Sequence, residues 1–214
     1  MTPVGGPFLL MSVVAGIAYG VVLQFRPSGV FRTTVKTAAV GALALWSWMA
    51  GAPPLLTGAL ALSAIGDAFL AGDPNRWLPL GLGSFLLAHL LYTALFLEIG
   101  GVGVVMHDPL RLGPALIAGL AGAGMVGWLW RDLGALRPAV VAYALAIAAM
   151  VGASFSLDRE RASAMAGAVA FMASDGVLSW RLFKHRGVTA PLADHAVWWL
   201  YWGGQVAIAT AFLL

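Results

Sequence analysis

Residues 78–98 read Leu78-Pro79-Leu80-Gly81-Leu82-Gly83-Ser84-Phe85-Leu86-Leu87-Ala88-His89-Leu90-Leu91-Tyr92-Thr93-Ala94-Leu95-Phe96-Leu97-Glu98. No charged side chain interrupts the run before Glu98. A helix rises ~1.5 Å per residue, so about 20 such residues cross the ~30 Å hydrocarbon core of a bilayer. The stretch therefore predicts a membrane-spanning helix. Inside it Gly81, Phe85, His89 and Tyr92 fall at helical spacing on one face. That face is polar at its centre, and lipid is the worst place for it.

The rest of the chain has the same character. Of 214 residues, 61% are hydrophobic and 10% charged, with a mean hydropathy of +0.89. A soluble domain carries about 25% charged residues, so these charges are too few to cover a globular surface. The expected class is all-α, a polytopic membrane protein formed as one domain over 1–214. Eight apolar stretches are long enough to span: 7–25, 33–50, 54–72, 78–98, 112–130, 138–156, 161–180 and 195–214. Short connections such as Gly51-Ala52-Pro53-Pro54, Gly72-Asp73-Pro74-Asn75-Arg76 and Leu157-Asp158-Arg159-Glu160 make neighbouring spans antiparallel. With no cysteine, disulfides, zinc–thiolate sites and cysteine nucleophiles are excluded. A net charge of +3, spread along the chain, gives no footprint for nucleic acid.

Positive charge predicts direction. Arg26, Arg32, Lys36, Arg76, Arg131, Arg137, Arg181, Lys184 and Arg186 fall on one side of the predicted membrane, and Arg111, Arg159 and Arg161 on the other. The richer side is expected to be cytoplasmic, in a bacterial inner membrane, which puts both termini outside. Met1 to Gly6 carry no basic residue ahead of the first apolar run, the order for an uncleaved helix rather than a signal peptide. Trp77, Trp128, Trp130, Trp180, Trp198 and Trp199 lie near span ends, where indoles sit at headgroup level. Gly16 and Gly20 are spaced for close helix packing. Gly122-Ala123-Gly124-Met125-Val126-Gly127 matches a dinucleotide-binding pattern, but with no strand before it the match is chance.

Lys36, Asp67, His89 and Asp175 are ionisable groups in the hydrocarbon region. Each costs ~2.5–3.5 kcal/mol near a helix centre, so it persists by pairing or by doing chemistry. Counting along antiparallel spans puts Lys36 in the first turn of the second span. Asp67, Asp175 and Tyr143 then fall in the cytoplasmic thirds of theirs, so they can share one level and one cavity, nearer the cytoplasmic leaflet. Further stripes are Ser63 with Asp67, Gly167 with Phe171, Ser174 and Asp175, and Trp198 with Tyr201 and Gln205. All are expected to face one interior.

Each residue has two readings. Asp67 and Asp175 either hold helices together with Lys36 or form an acid–base pair, since two close buried carboxyls cannot both ionise cheaply. His89 either packs between helices or contacts substrate. Lys36 either snorkels to the headgroups or anchors an anionic phosphate. Tyr92, Tyr143, Tyr201 and Gln205, taken singly, are as well explained by helix-to-helix hydrogen bonds. No metal-ligand spacing of the EF-hand or HExxH type is present, and the Gly-x-Ser-x-Gly elbow of serine hydrolases is absent.

Five segments, in chain order, resemble the YhhN-type lysoplasmalogenases. Lys36 fits the lysine that opens that family's second helix, with Thr37 where the family usually has proline. Ser63-Ala64-Ile65-Gly66-Asp67-Ala68-Phe69-Leu70 resembles its "GD" element. Phe85, His89 and Tyr92 fit its "F-x-x-x-H-x-x-Y" helix. Gly167-Ala168-Val169-Ala170-Phe171-Met172-Ala173-Ser174-Asp175 resembles "GA-x-x-F-x-x-SD", and Tyr201-Trp202-Gly203-Gly204-Gln205 resembles the closing "Y-x-x-x-Q".

The resemblance implies hydrolysis of the vinyl-ether bond of a lysoplasmalogen or related lyso ether lipid. Products would be a fatty aldehyde and a glycerophospho-alcohol, with water as co-substrate and no cofactor or metal. One aspartate would protonate carbon and the other would steady the cation and activate water, with either assignment open. His89, Tyr92, Tyr143, Ser174, Tyr201 and Gln205 would line the pocket, and Lys36 would meet the phosphate of the lysophospholipid. The competing class is a proton-coupled transporter, in which buried carboxylates relay protons. No internal repeat or matched pair of broken spans supports it.

Overall fold

A computed structural model describes residues 5–72, 76–185 and 190–214, and the backbone alone at 74 and 75. Met1 to Val4 of the leader, Asp73 and the cationic Arg186 lie outside the described residues. The helices are α1 (Gly5–Val21), α2 (Val30–Met49), α3 (Pro54–Leu70), α4 (Pro74–Gly100), α5 (Val102–His107), α6 (Pro109–Leu129), α7 (Arg137–Ser154), α8 (Ala162–Phe183) and α9 (Pro191–Leu213). No strand occurs among the described residues. Each predicted stretch overlaps one long helix, and α5 is an extra turn-and-a-half that the reading of spans left as connection.

The helix ends follow from local chemistry. Proline stands at the start of α3, α6, α7 and α9, where a missing N–H costs nothing. Asp108 opens α6 by accepting from the Leu110 N–H at 2.9 Å. Gly51 (φ 66°) turns α2 into α3, and Gly101 (φ 84°) breaks α4 from α5, both in the left-handed region.

Residues 76–100, 109–129, 134–154 and 159–183 are long and apolar enough to cross a membrane, and the chain is an integral membrane protein. Helices α1 and α3 are apolar but only 17 residues each. Leu110, Ile117 and Leu120 of α6 are 86%, 66% and 72% exposed, side chains whose natural solvent is lipid.

Helix α8 packs most extensively on α9, α3 on α4, and α2 on both α1 and α3, while α6 lies outermost against α7. Small residues permit the closest approaches. A Cβ at Gly167 of α8 would meet the Gly204 carbonyl oxygen of α9 at 2.6 Å. Gly16 and Gly20 instead receive indoles, Trp202 on the first, Trp198 and Trp199 on the second. This corrects the headgroup placement of Trp198, which is 2% exposed and donates its ring N–H to the Gly16 carbonyl at 2.9 Å. The buried N–H finds its acceptor there because glycine leaves the α1 backbone uncovered.

Lys36 also moves: α2 begins at Val30, so it sits in the second turn. The added turn is stabilised by Arg32. Its guanidinium donates to the carbonyls of Leu23 (3.2 Å), Ala71 (3.4 Å) and Gln24 (3.5 Å) and to the Tyr19 hydroxyl (3.2 Å). The cation thus answers carbonyls of the 3-10 turn Leu23–Phe25 that follows α1 and of Ala71 at the C-cap of α3.

Candidate active site

The four stripes converge. Phe85 and His89 (α4), Ser63 and Asp67 (α3), Phe171 and Ser174 (α8), and Trp198, Tyr201 and Gln205 (α9) are all buried. Helical periodicity explains this, since each stripe lies on the one face its helix turns inward.

Asp67 is 1% exposed and fully engaged. Lys36 Nζ lies 3.1 Å from Oδ1, and the Tyr201 hydroxyl donates to Oδ2 at 2.6 Å. A buried carboxylate persists when its charge is paired and its lone pairs are filled. Lys36 therefore does not hang free toward the headgroups. Its ammonium also lies 5.9 Å from the Tyr19 ring centroid.

Asp175 is held differently. The Tyr143 hydroxyl of α7 donates to its Oδ2 at 2.6 Å. His89 Nε2 lies 3.9 Å from the same oxygen, too far for a hydrogen bond. The His89 ring meets Tyr143 (5.1 Å) and Phe171 (4.8 Å) edge-on, and neither of its buried nitrogens has a hydrogen-bond partner. Alongside, Tyr92 donates to Gln205 Oε1 at 2.5 Å, leaving the Gln205 amide nitrogen without a partner. Ser174 donates to the Val197 carbonyl at 2.8 Å, so its proton is committed to the α9 backbone.

A cavity of about 300 Å³ opens between these helices, and Lys36, Asp67, Ser174, Asp175 and Tyr201 all line it. Both carboxyls thus face one volume. His89, Tyr92 and Gln205 are not among its lining residues: they form a buried layer behind Phe85, Phe171 and Tyr201, whose rings pack edge-on at centroid distances of 5.1–6.0 Å. A second cavity of about 680 Å³ runs between α6, α7 and α8, with almost wholly apolar walls. Tyr143, Asp175 and Ser179 are among its few polar residues, and Asp175 alone of the two aspartates lines both cavities.

Sequence reasoning missed Arg32, Tyr19, Gln24 and Asp194 as cavity residues. A signal existed for one. Arg32 stands four residues before Lys36, so the two cations share a helix face. Asp194 pairs with Arg181 at 2.9 Å, and Gln24 bonds His195 at 2.6 Å, contacts between distant segments that periodicity does not encode.

Known proteins resemble this chain over most of its length. A lysoplasmalogenase of Mycobacterium tuberculosis is 31% identical over 162 residues, covering 73% of this chain and 59% of the relative. The chain thus spans under two thirds of that protein. The human lysoplasmalogenase TMEM86B is 32% identical over 189 residues, 86% of this chain and 76% of its own length. The rat protein of the same name is 35% identical over 195 residues, 88% and 75% respectively. No solved structure matches the chain. The YhhN family model matches residues 31–212, a stretch that takes in both aspartates, the lysine and every helix from α2 to α9, and the chain belongs to the YhhN family.

Proposed function

We propose that this protein is an intramembrane hydrolase that cleaves the vinyl-ether bond of lysoplasmalogens, or of a closely related lyso ether lipid. One observation carries the reading: Asp67 and Asp175, on different helices, face a single cavity that Lys36 and Arg32 also line. The relatives' name, lysoplasmalogenase, supports the same chemistry.

A vinyl ether is activated by a proton on carbon rather than on oxygen. Asp175 delivers that proton to the second carbon of the alkenyl chain, and the first carbon becomes an oxocarbenium ion. Asp67, ion-paired with Lys36, serves in this reading as the carboxylate that steadies the cation and takes a proton from the attacking water. Water adds to the first carbon and gives a hemiacetal. Its bond to the glycerol oxygen then breaks as that oxygen takes the proton held by Asp67, the hemiacetal hydroxyl returns its proton to Asp175, and an aldehyde departs with both carboxyls restored. Tyr143 and Tyr201 fix one oxygen of each carboxyl by hydrogen bonds of 2.6 Å. Lys36 and Arg32 give the wall its positive charge, matched to a phosphate. His89, Tyr92 and Gln205 act from behind, by holding Phe171, Tyr201 and Tyr143 in place.

In the same reading all eight long helices cross a bacterial cytoplasmic membrane. Both termini lie outside and the cavity is nearer the cytoplasmic leaflet, supported by the nine-to-three division of basic residues. A periplasm-active reporter fused at Leu214 is expected to be active. Activity from a cytoplasm-only reporter there would reverse the orientation.

The deciding experiment offers lysolipids to detergent-purified protein. Aldehyde is expected from alkenyl lysolipids and none from the matching saturated ethers. An enzyme turns over without a sealed compartment, whereas a transporter yields no product. Absence of aldehyde across headgroups would overturn the proposal.

A further inference from the structure

The 680 Å³ cavity between α6, α7 and α8 is not explained by the acid–base chemistry. It exists because small residues, Ala121 and Gly122 on α6, Ala144 on α7, and Ala173 and Gly176 on α8, face one another where larger side chains would close the gap. Its rim includes Ile117 and Val169, which are 66% and 47% exposed. It is therefore open toward the side of the bundle that contacts lipid. At its inner edge it reaches Tyr143 and Asp175, and through Asp175 it meets the polar cavity.

We infer that this groove seats the hydrocarbon chain of the lipid substrate, with the first two carbons of the chain at Asp175 and the polar glycerol end in the neighbouring cavity. The identity of that chain as an alkenyl chain rests on the hydrolase reading. Three features fix the occupant. The walls are apolar, so they take a chain and reject a headgroup. The length fits: from Tyr143, at the level of the carboxyl, the lining continues along α7 to Val151, eight residues and so ~12 Å of helix rise, and on to Phe155 at the helix's end, against ~15 Å for the hydrocarbon of one leaflet. The two cavities differ in polarity and meet at a carboxyl, as a molecule with an apolar tail and an anionic head requires if its bond of cleavage lies at their junction. The trough holds one chain.

The test narrows the groove far from the carboxyls, using rim positions whose exposure lets a larger side chain fit without repacking the core. Ile117→Trp and Val169→Trp approach from opposite walls. Hydrolysis is measured on purified protein with a hexadecenyl and an octenyl lysolipid of the same headgroup. In parallel, binding of the uncleavable hexadecyl and octyl ethers is measured by displacement of a fluorescent lysolipid. The wild type is expected to favour the long chain. Each variant is expected to lose about tenfold in kcat/KM and in affinity for the long chain, the worth of roughly two buried methylenes, while the short chain changes less than about twofold. If the wild type cleaves but the variants keep its chain-length preference, the groove is only a lipid-facing gap and the inference is overturned while the hydrolase stands. If nothing is cleaved yet the ethers bind with a chain preference that the variants abolish, the groove stands and the hydrolase reading falls. Binding indifferent to chain length in the wild type overturns the groove outright.

Discussion

Asp67 and Asp175 are the same residue placed in unlike surroundings. Around Asp67 the bundle is closed: α2, α3 and α9 each contribute to its cage, and an ammonium and a phenol occupy its oxygens. Around Asp175 the bundle is open. Its partner is a neutral phenol, no lysine or arginine among the described residues pairs with it, and its side chain is 13% exposed at the meeting of two cavities. The difference teaches how one fold can ready two carboxyls for two tasks. An ammonium beside one carboxyl favours its charged form, and a neutral donor gives the other no such partner.

The sharpest way to break the comparison is to remove each acid in turn. Asp175→Asn is expected to lower kcat by the ~10²–10⁴-fold typical of general acid–base catalysis, with little change in melting temperature. Asp67→Asn is expected to lose as much activity and also to strand Lys36, costing ~3 kcal/mol of stability. Lys36→Met in that background restores stability without activity. The double aspartate variant should be scarcely worse in kcat than either single one, because groups that act as a unit are non-additive. If both single variants melt alike, the contrast drawn here between the two acids is wrong.

Tyr143 and Tyr201 refine it. Each donates at 2.6 Å to one carboxyl, so Tyr143→Phe and Tyr201→Phe each remove a hydrogen bond to a potentially charged group, worth ~1.5–3 kcal/mol. Tyr143→Phe is expected to fall mainly in kcat, about tenfold or more, since it borders the acid alone. Tyr201→Phe is expected to lower stability as well, through the Asp67–Lys36 cage. Equal effects on both readouts would erase the distinction.

The smallest expected effect separates packing from chemistry. Trp198→Phe gives up the bond to the Gly16 carbonyl, about 1 kcal/mol by melting, and leaves kcat within about threefold. The same change at Trp128, 53% exposed, should do neither.

Much of this was legible in the sequence. The helices fall where apolar length and proline put them. The four polar stripes meet in one interior because a period of 3.6 leaves each helix a single face to hide. Depth along a helix can be counted residue by residue, and Lys36, Asp67 and Asp175 do line one volume. Rotation about the helix axis and the order of neighbours cannot be counted. That is why His89, Tyr92 and Gln205, on the right helices at related levels, prove to stand one ring-layer behind the cavity. The groove was invisible for a different reason. It is built from alanine and glycine, which carry no chemical mark, and its function lies in what those residues leave empty. Trp198 read as an interfacial anchor because one-dimensional position near a span end cannot show that a glycine of α1 waits for its N–H.

The contact of Gly167 with Gly204 has a mechanical consequence. Where two helix backbones touch, with a carbonyl oxygen only 2.6 Å from the site of an added methyl, neither helix can slide or roll without collision. Asp175 of α8 and Tyr201 of α9 therefore stand on two helices interlocked at this crossing, and α3 is joined to them through the hydrogen bond of Tyr201 to Asp67. Helix α6 has no comparable lock: it packs mainly on α7 and meets α8 only lightly, so the wall of the apolar cavity is held less firmly than the pair of helices that carries the carboxyls' partners.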